Sequence, residues 1–252
     1  MTPDRDDDLG LRPLTARSVL ASTLLGLDPP VLPVRRLVAT ASLFGISEGS
    51  ARTALSRMVA AGEVVADDGR YRLAGRLLDR QRRQASGRRP TRARRWGGEW
   101  LLAIVVADRR TPADRAELRA ALRDARLAEW REGVWARPDD LGRPALPPHV
   151  AEHVEWAVAR PDVPPRLWDL DAWADRARRL LDRLERTPLE GTDDLAPGFV
   201  LSAAVVRHLA DDPLLPPALL PPDWPGDDLR RTYDAWDREW RALLASWHRS
   251  QA

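Results

Sequence analysis

From Leu14 to Leu73 the apolar residues of this 252-residue chain change rhythm once, from three stretches at helical spacing to two short runs at strand alternation. That order constrains the fold strongly. In "LTARSVLASTLLG" the positions Leu14, Val19, Leu20, Leu24 and Leu25 suit a helix ending near Gly26, and "DPPVLP" breaks it. "VRRLVATASLFG" predicts a second helix packed through Val34, Leu37, Val38 and Ala41, followed by a turn at Gly45 and Ile46. Ser47 is a good N-cap for a third helix, because its hydroxyl can accept from a free first-turn amide, and Glu48 complements the positive helix end. This helix runs to about Ala61, with Ala51, Ala54, Leu55, Met58 and Val59 on one stripe. "EVVA" and "RYRL", joined by "DDG", predict a hairpin. Three helices and a hairpin make a winged helix-turn-helix, at 12–80.

The net charge of +2 hides an asymmetry. Before Trp96, 18 arginines face 10 acidic residues, giving +8; from Trp96 on, 22 face 28, giving −6. The positive part is where a polyanion partner is expected. Every basic side chain except histidine is Arg. There is no cysteine, which excludes disulfides, thiolate chemistry and sulfur-bound metal. The start has no basic region followed by an apolar core, and no run approaches the roughly 20 apolar residues of a spanning helix. A soluble, cytoplasmic protein with no membrane partner is expected.

Between Arg70 and Arg95 stand 11 arginines and one acidic residue, Asp79, and "QASGRRPTRARR" predicts an irregular Arg-rich linker within 81–95. A middle domain at 96–165 opens near Trp96. There "EWLLAIVVAD" suits a buried strand, Pro112 starts the helix "PADRAELRAALRDARLAEW", and "GVWARP" and "HVEWAVAR" supply further strands, predicting a small ferredoxin-like sheet. The remainder, 166–250, reads as a helical C-terminal domain. Its first helix repeats Leu170, Trp173, Ala177, Leu180, Leu181 and Leu184 on one face. The fold class is therefore mainly α with small α+β parts. "DPLLPPALLPPDWPG" cannot be regular helix and suits a rigid crossing along a surface.

The third helix presents Ser50, Arg52, Thr53, Ser56 and Arg57 opposite its apolar stripe, with Ser47 poised to donate to phosphate. Arginine can bind guanine bidentately in the major groove, while Ser and Thr reach base edges or phosphates. Arg70 and Arg72 share one side of the hairpin, where a wing would meet phosphates or a minor groove. A solvated helix face and strand face are the bland alternatives.

The inventory for an enzyme is thin, and no catalytic residue, metal ligand or cofactor is assigned. His149 and His153 lie four apart in "HVAEHVE", but Val150 stands where a metalloprotease motif has glutamate. Asp108 ends a predicted strand, as a nuclease carboxylate would; turn or capping duty is the commoner role. Trp135, Trp168 and Trp224 could wall an aromatic pocket or simply fill a core.

"GISEGSARTALSRMVAAGEV" with "GRYRL", then "WGGEW", "GVWARPDDL", "LWDLDAW" and "DDPLLPPALLPPDWPG", resemble the PaaX family of transcriptional repressors, from about Leu14 to about Tyr233. The resemblance implies an N-terminal winged helix, a ferredoxin-like middle domain similar to the nuclease subunit of CRISPR adaptation, and a helical C-terminal domain. It implies a homodimer on double-stranded operator DNA, released by an acyl-coenzyme A such as phenylacetyl-coenzyme A. "RTALSR" carries the DNA contact region to Arg52–Arg57, and the wing falls at Arg70–Arg72. No effector motif transfers, and a coenzyme A ligand would need arginines such as Arg109, Arg110 or those of the linker. Two other readings are a metal-dependent nuclease using Asp108 and an adaptor that does not bind DNA.

Overall fold

The computed structural model describes residues 14–106, 111–162 and 165–251. Along them run α1 (Ala16–Leu25), β1 (Val31–Pro33), α2 (Val34–Ser42), α3 (Glu48–Ala60), β2 (Val64–Asp67), β3 (Arg70–Leu73) and α4 (Gly75–Arg88). Next come β4 (Trp100–Val105), α5 (Pro112–Asp124), β5 (Ala128–Arg131), β6 (Val134–Pro138), α6 (Pro148–Ala151) and β7 (Val154–Ala159). Three long helices follow: α7 (Leu170–Arg186), α8 (Leu195–Ala210) and α9 (Gly226–Ser250). Helix dominates, with two small antiparallel sheets. The chain divides into two units, one of residues up to Arg89 with Ala174–Asp211 and Pro225 onward, the other of Pro90–Trp173 with Asp212–Trp224.

In the first unit, α1 begins at a capping box, where Thr15 Oγ1 accepts from Ser18 N at 3.2 Å and Ser18 Oγ accepts from Thr15 N at 2.8 Å. Helices of this length are marginal in isolation, so packing must hold them. Val19, Leu20 and Leu24 of α1, Leu37 and Ala41 of α2, and Ala51, Leu55 and Met58 of α3 form that shared core. Val59, expected on the same stripe, is 40% exposed, because one further residue rotates about 100° around the helix from Met58.

The segment expected only to break the chain contributes a strand. β1 pairs with β3, which also pairs with β2, so the sheet order is β1-β3-β2 and β3 lies in the middle. Pro33 is tolerated because β1 is an edge strand. The hairpin turns through Asp68 and Gly69, both at positive φ (43° and 68°), as a two-residue turn requires. The Gly69 carbonyl accepts from Val34 N at 2.9 Å, which ties the hairpin turn to the start of α2.

The expected linker begins as helix. α4 continues to Arg88, correcting the irregular reading of 84–88. Arginines reach outward to partners that the local sequence does not reveal. Arg83 Nε donates to Ala210 O at 3.2 Å, and its Nη2 lies 3.3 Å from Asp211 Oδ1. Arg88 pairs with Asp234 and, at 2.8 Å, with the buried Asp237 of α9, its guanidinium 4.8 Å from the Tyr233 ring centroid. Arg230 Nε returns a bond to Gly87 O at 2.9 Å. α8, α9 and α7 from Ala174 onward thus fall in this unit with α1–α4. α8 and α9 meet where a Cβ on Gly198 would stand 2.5 Å from Trp240.

In the second unit the strand order is β5-β6-β4-β7, all antiparallel. Its core comprises Ala103, Leu118, Leu122, Leu127, Trp135, Val150 and Val154. Thr111 caps α5 and Pro112 occupies its first turn, as the sequence predicts. The helix stops at Asp124 rather than at Trp130. Arg126 adopts a left-handed conformation (φ 62°) and bonds to Asp212 O, and Ala128–Arg131 becomes β5. Arg137 Nη1 donates to Ala125 O at 3.1 Å and so satisfies a carbonyl at that helix end.

The proline-dense segment is irregular, with a short 3-10 turn at Pro217–Leu219. Asp212 to Pro216 are all buried. Arg92 donates to Leu214 O at 3.1 Å and to Leu215 O at 2.7 Å and pairs with the buried Asp140. Arg94 Nε bonds Asp139 O at 2.8 Å. The motif "ARPDDL" and two arginines of the expected linker therefore hold this proline-dense strap.

Candidate nucleic-acid interface

The third helix presents its polar residues together. Ser47 caps it, its Oγ accepting from Ser50 N at 3.2 Å and donating to Ser50 Oγ at 3.0 Å. Arg52 Nε donates to Glu48 Oε1 at 2.7 Å across one turn. Ser47, Ser50, Arg52, Thr53, Ser56 and Arg57 are all exposed, over an opposite face of buried Ala51, Leu55 and Met58. Among the described residues no ion pair or hydrogen bond engages the Arg57 side chain, while its carbonyl accepts from Ala61 N at 2.9 Å. The helix is thus anchored on one side and offers hydroxyls and guanidinium groups on the other.

Arg70 and Arg72 are exposed on one face of β3, with Tyr71 half-buried on the other. They stand in mid-sheet. Arg72 is flanked by Val31 and Val65, and Arg70 by Pro33 and Asp67. The hairpin tip itself carries Asp67 and Asp68, so cationic character sits on the sheet face rather than at the apex. Arg35 and Arg36, exposed in the first turn of α2, neighbour this turn through the Val34–Gly69 bond. Sequence reasoning missed them, although "VRRL" carries the signal. Behind α2, His248 Nε2 lies 3.3 Å from the buried Thr40 Oγ1, and burial together with Arg36 holds the imidazole below its usual pKa.

The other candidates fall elsewhere. His149 lies 3.1 Å from Glu117 and His153 3.8 Å from Glu152, so each faces a different carboxylate. Among the described residues no three of His, Cys, Asp and Glu gather closely enough to hold a metal. Asp108, Arg109 and Arg110 lie outside the described residues. Trp135 is buried in the sheet core, Trp168 stacks on Trp100 with centroids 6.4 Å apart, and Trp224 on Trp173 at 4.4 Å. A cleft of about 350 Å³ on α5 is lined by Pro112, Arg115, Ala116, Arg119 and Arg123, a cationic surface rather than an apolar pocket. No described helix is long and apolar enough to cross a membrane.

This geometry defines a class: a mainly helical protein that presents one polar, arginine-bearing helix face over a packed core. Comparison supplies the family. Residues 15–77 match the model of the PaaX-like protein and residues 168–250 that of the PaaX-like protein C-terminal domain. The chain belongs to the PaaX-like family. A solved structure of an uncharacterized protein, Rv0674 from Mycobacterium tuberculosis, is similar, with 41% identity, a TM-score of 0.69, and coverage of 92% of this chain and 98% of that one. No curated protein matches the chain.

Proposed function

We propose that this protein is a DNA-binding transcriptional regulator in which α3 reads base edges in the major groove. The observation that carries the reading is the exposed face from Ser47 to Arg57, fixed from behind by buried Ala51, Leu55 and Met58. A helix packed from behind, with Arg, Ser and Thr on its exposed face, suits base readout. In this reading α1–α3 with their sheet form a winged helix-turn-helix, and Arg70 and Arg72 meet phosphates from the sheet face. The β4-α5-β5-β6-α6-β7 order supports a ferredoxin-like middle domain whose second helix is reduced to four residues. Membership of the PaaX-like family supports extending this reading to a homodimer on a near-palindromic operator that acts as a repressor and is released by an acyl-coenzyme A.

The test is fluorescence anisotropy against duplex DNA from beside the protein's own gene, with an unrelated duplex as control. Tight binding to the first alone is expected. If each subunit of a dimer neutralises roughly four phosphates, log affinity falls against log salt with a slope of about −7. Equal, weak binding to both duplexes would overturn the proposal.

A further inference from the structure

Glu48 is the sole carboxylate on α3, and it stands on the face that would meet DNA. A negative charge there opposes the approach of phosphates. Its contribution to the fold is small, because both it and Arg52 are more than half exposed and such pairs across one helical turn stabilise weakly. What it does is geometric. A guanidinium carries five N–H donors in a rigid plane, and Glu48 occupies the Nε edge. The remaining end, with Nη1 and Nη2 side by side, is the edge that fits O6 and N7 of guanine. Arg52 is thus biased toward this orientation before any ligand arrives, which removes part of the ordering cost of binding.

A second feature lies beside it. Gly49 sits in the first turn of α3, where glycine weakens a helix, yet a Cβ at this position would meet nothing within 4 Å. Among the described residues no packing requirement excludes a side chain there. Its absence lowers the surface next to Glu48 and gives a partner room to approach the turn.

We infer that Glu48 is a specificity-determining positioning residue, whose grip on Arg52 dedicates that arginine to a single guanine. The inference rests on the reading of α3 as a recognition helix. The full-length protein is used to select binding sites from random duplexes, and single-base variants of the winning site are then titrated. Glu48→Asp keeps the charge at the helix start but is one methylene too short to hold Arg52. Glu48→Ala removes charge and grip together, and Arg52→Lys keeps the charge but not the planar fork. At one guanine, discrimination by the wild type is expected to fall about tenfold in all three variants. Glu48→Ala should also bind an unrelated duplex about two- to threefold more tightly, since a carboxylate is gone from the interface. A purely structural role for Glu48 would weaken both bindings together. Retention of full discrimination at every guanine by Glu48→Asp and Glu48→Ala overturns the inference while the recognition helix stands. Failure of the wild type to select any sequence overturns both.

Discussion

At Gly87 a side chain is excluded because a Cβ would press well inside contact distance of the Leu209 carbonyl on α8. Gly87→Ala gains about 1 kcal/mol of helix propensity but forces two backbones apart, an overpacking cost of roughly 1–3 kcal/mol. A lower midpoint in urea denaturation is expected. At the interface, single arginines should separate by what they touch. Arg57→Ala is expected to weaken specific DNA binding by about 1–3 kcal/mol with little change in salt slope, as for a base contact. Arg72→Ala is expected to weaken all duplexes alike and to make the slope shallower by about 1, as for a phosphate contact. Anisotropy titrations at several salt concentrations distinguish the two. Residue types were legible here; partners were not. The sequence shows Arg83, Arg88, Arg92 and Arg94 only as positive charge, and their acceptors lie 45 to 149 residues away along the chain.

Among the elements, those set by local pattern were read well. The stripe of α3 apart from Val59, its serine cap, the hairpin and the Pro112 start of α5 all depend on residues close to one another along the chain. Elements made by distant pairing were not. β1 was hidden by its prolines and exists because β3 offers it an edge. β5 was hidden inside an alanine- and leucine-rich run that continues a helical period, and Arg126 ends that helix by reaching to the strap. The strap yields its own prediction. Arg92→Ala would strand two buried carbonyls and remove a partner from Asp140, whose carboxyl burial already raises above its ordinary pKa against the pull of Arg92. The expected loss is about 2–3 kcal/mol, less than the ~3–5 kcal/mol of a fully buried pair because the Arg92 side chain is 35% exposed. Chemical denaturation measures it, and an unchanged midpoint would show that the strap holds without this clasp.

For the molecule as a whole, acid stability has an identifiable contributor in the contact between α9 and α2. The pKa of His248 is depressed by burial, with Arg36 adding repulsion, so below the ordinary value of 6.5 the unfolded chain binds protons that the folded chain refuses. Stability contributed by the neutral imidazole is therefore present above that value and is lost as pH falls toward the folded pKa. His248→Asn is expected to flatten the decline of melting temperature between about pH 7 and 5. An identical decline in the variant would assign the acid sensitivity elsewhere. The first unit is also discontinuous along the chain, its early segment being completed by Ala174–Asp211 and Pro225 onward. On the ribosome, α1–α4 emerge long before α8 and α9, the helices that receive Arg83 and Arg88. The candidate reading head is synthesised well before the helices that complete its unit, so a nascent chain stopped between α4 and α8 carries that surface without its full support.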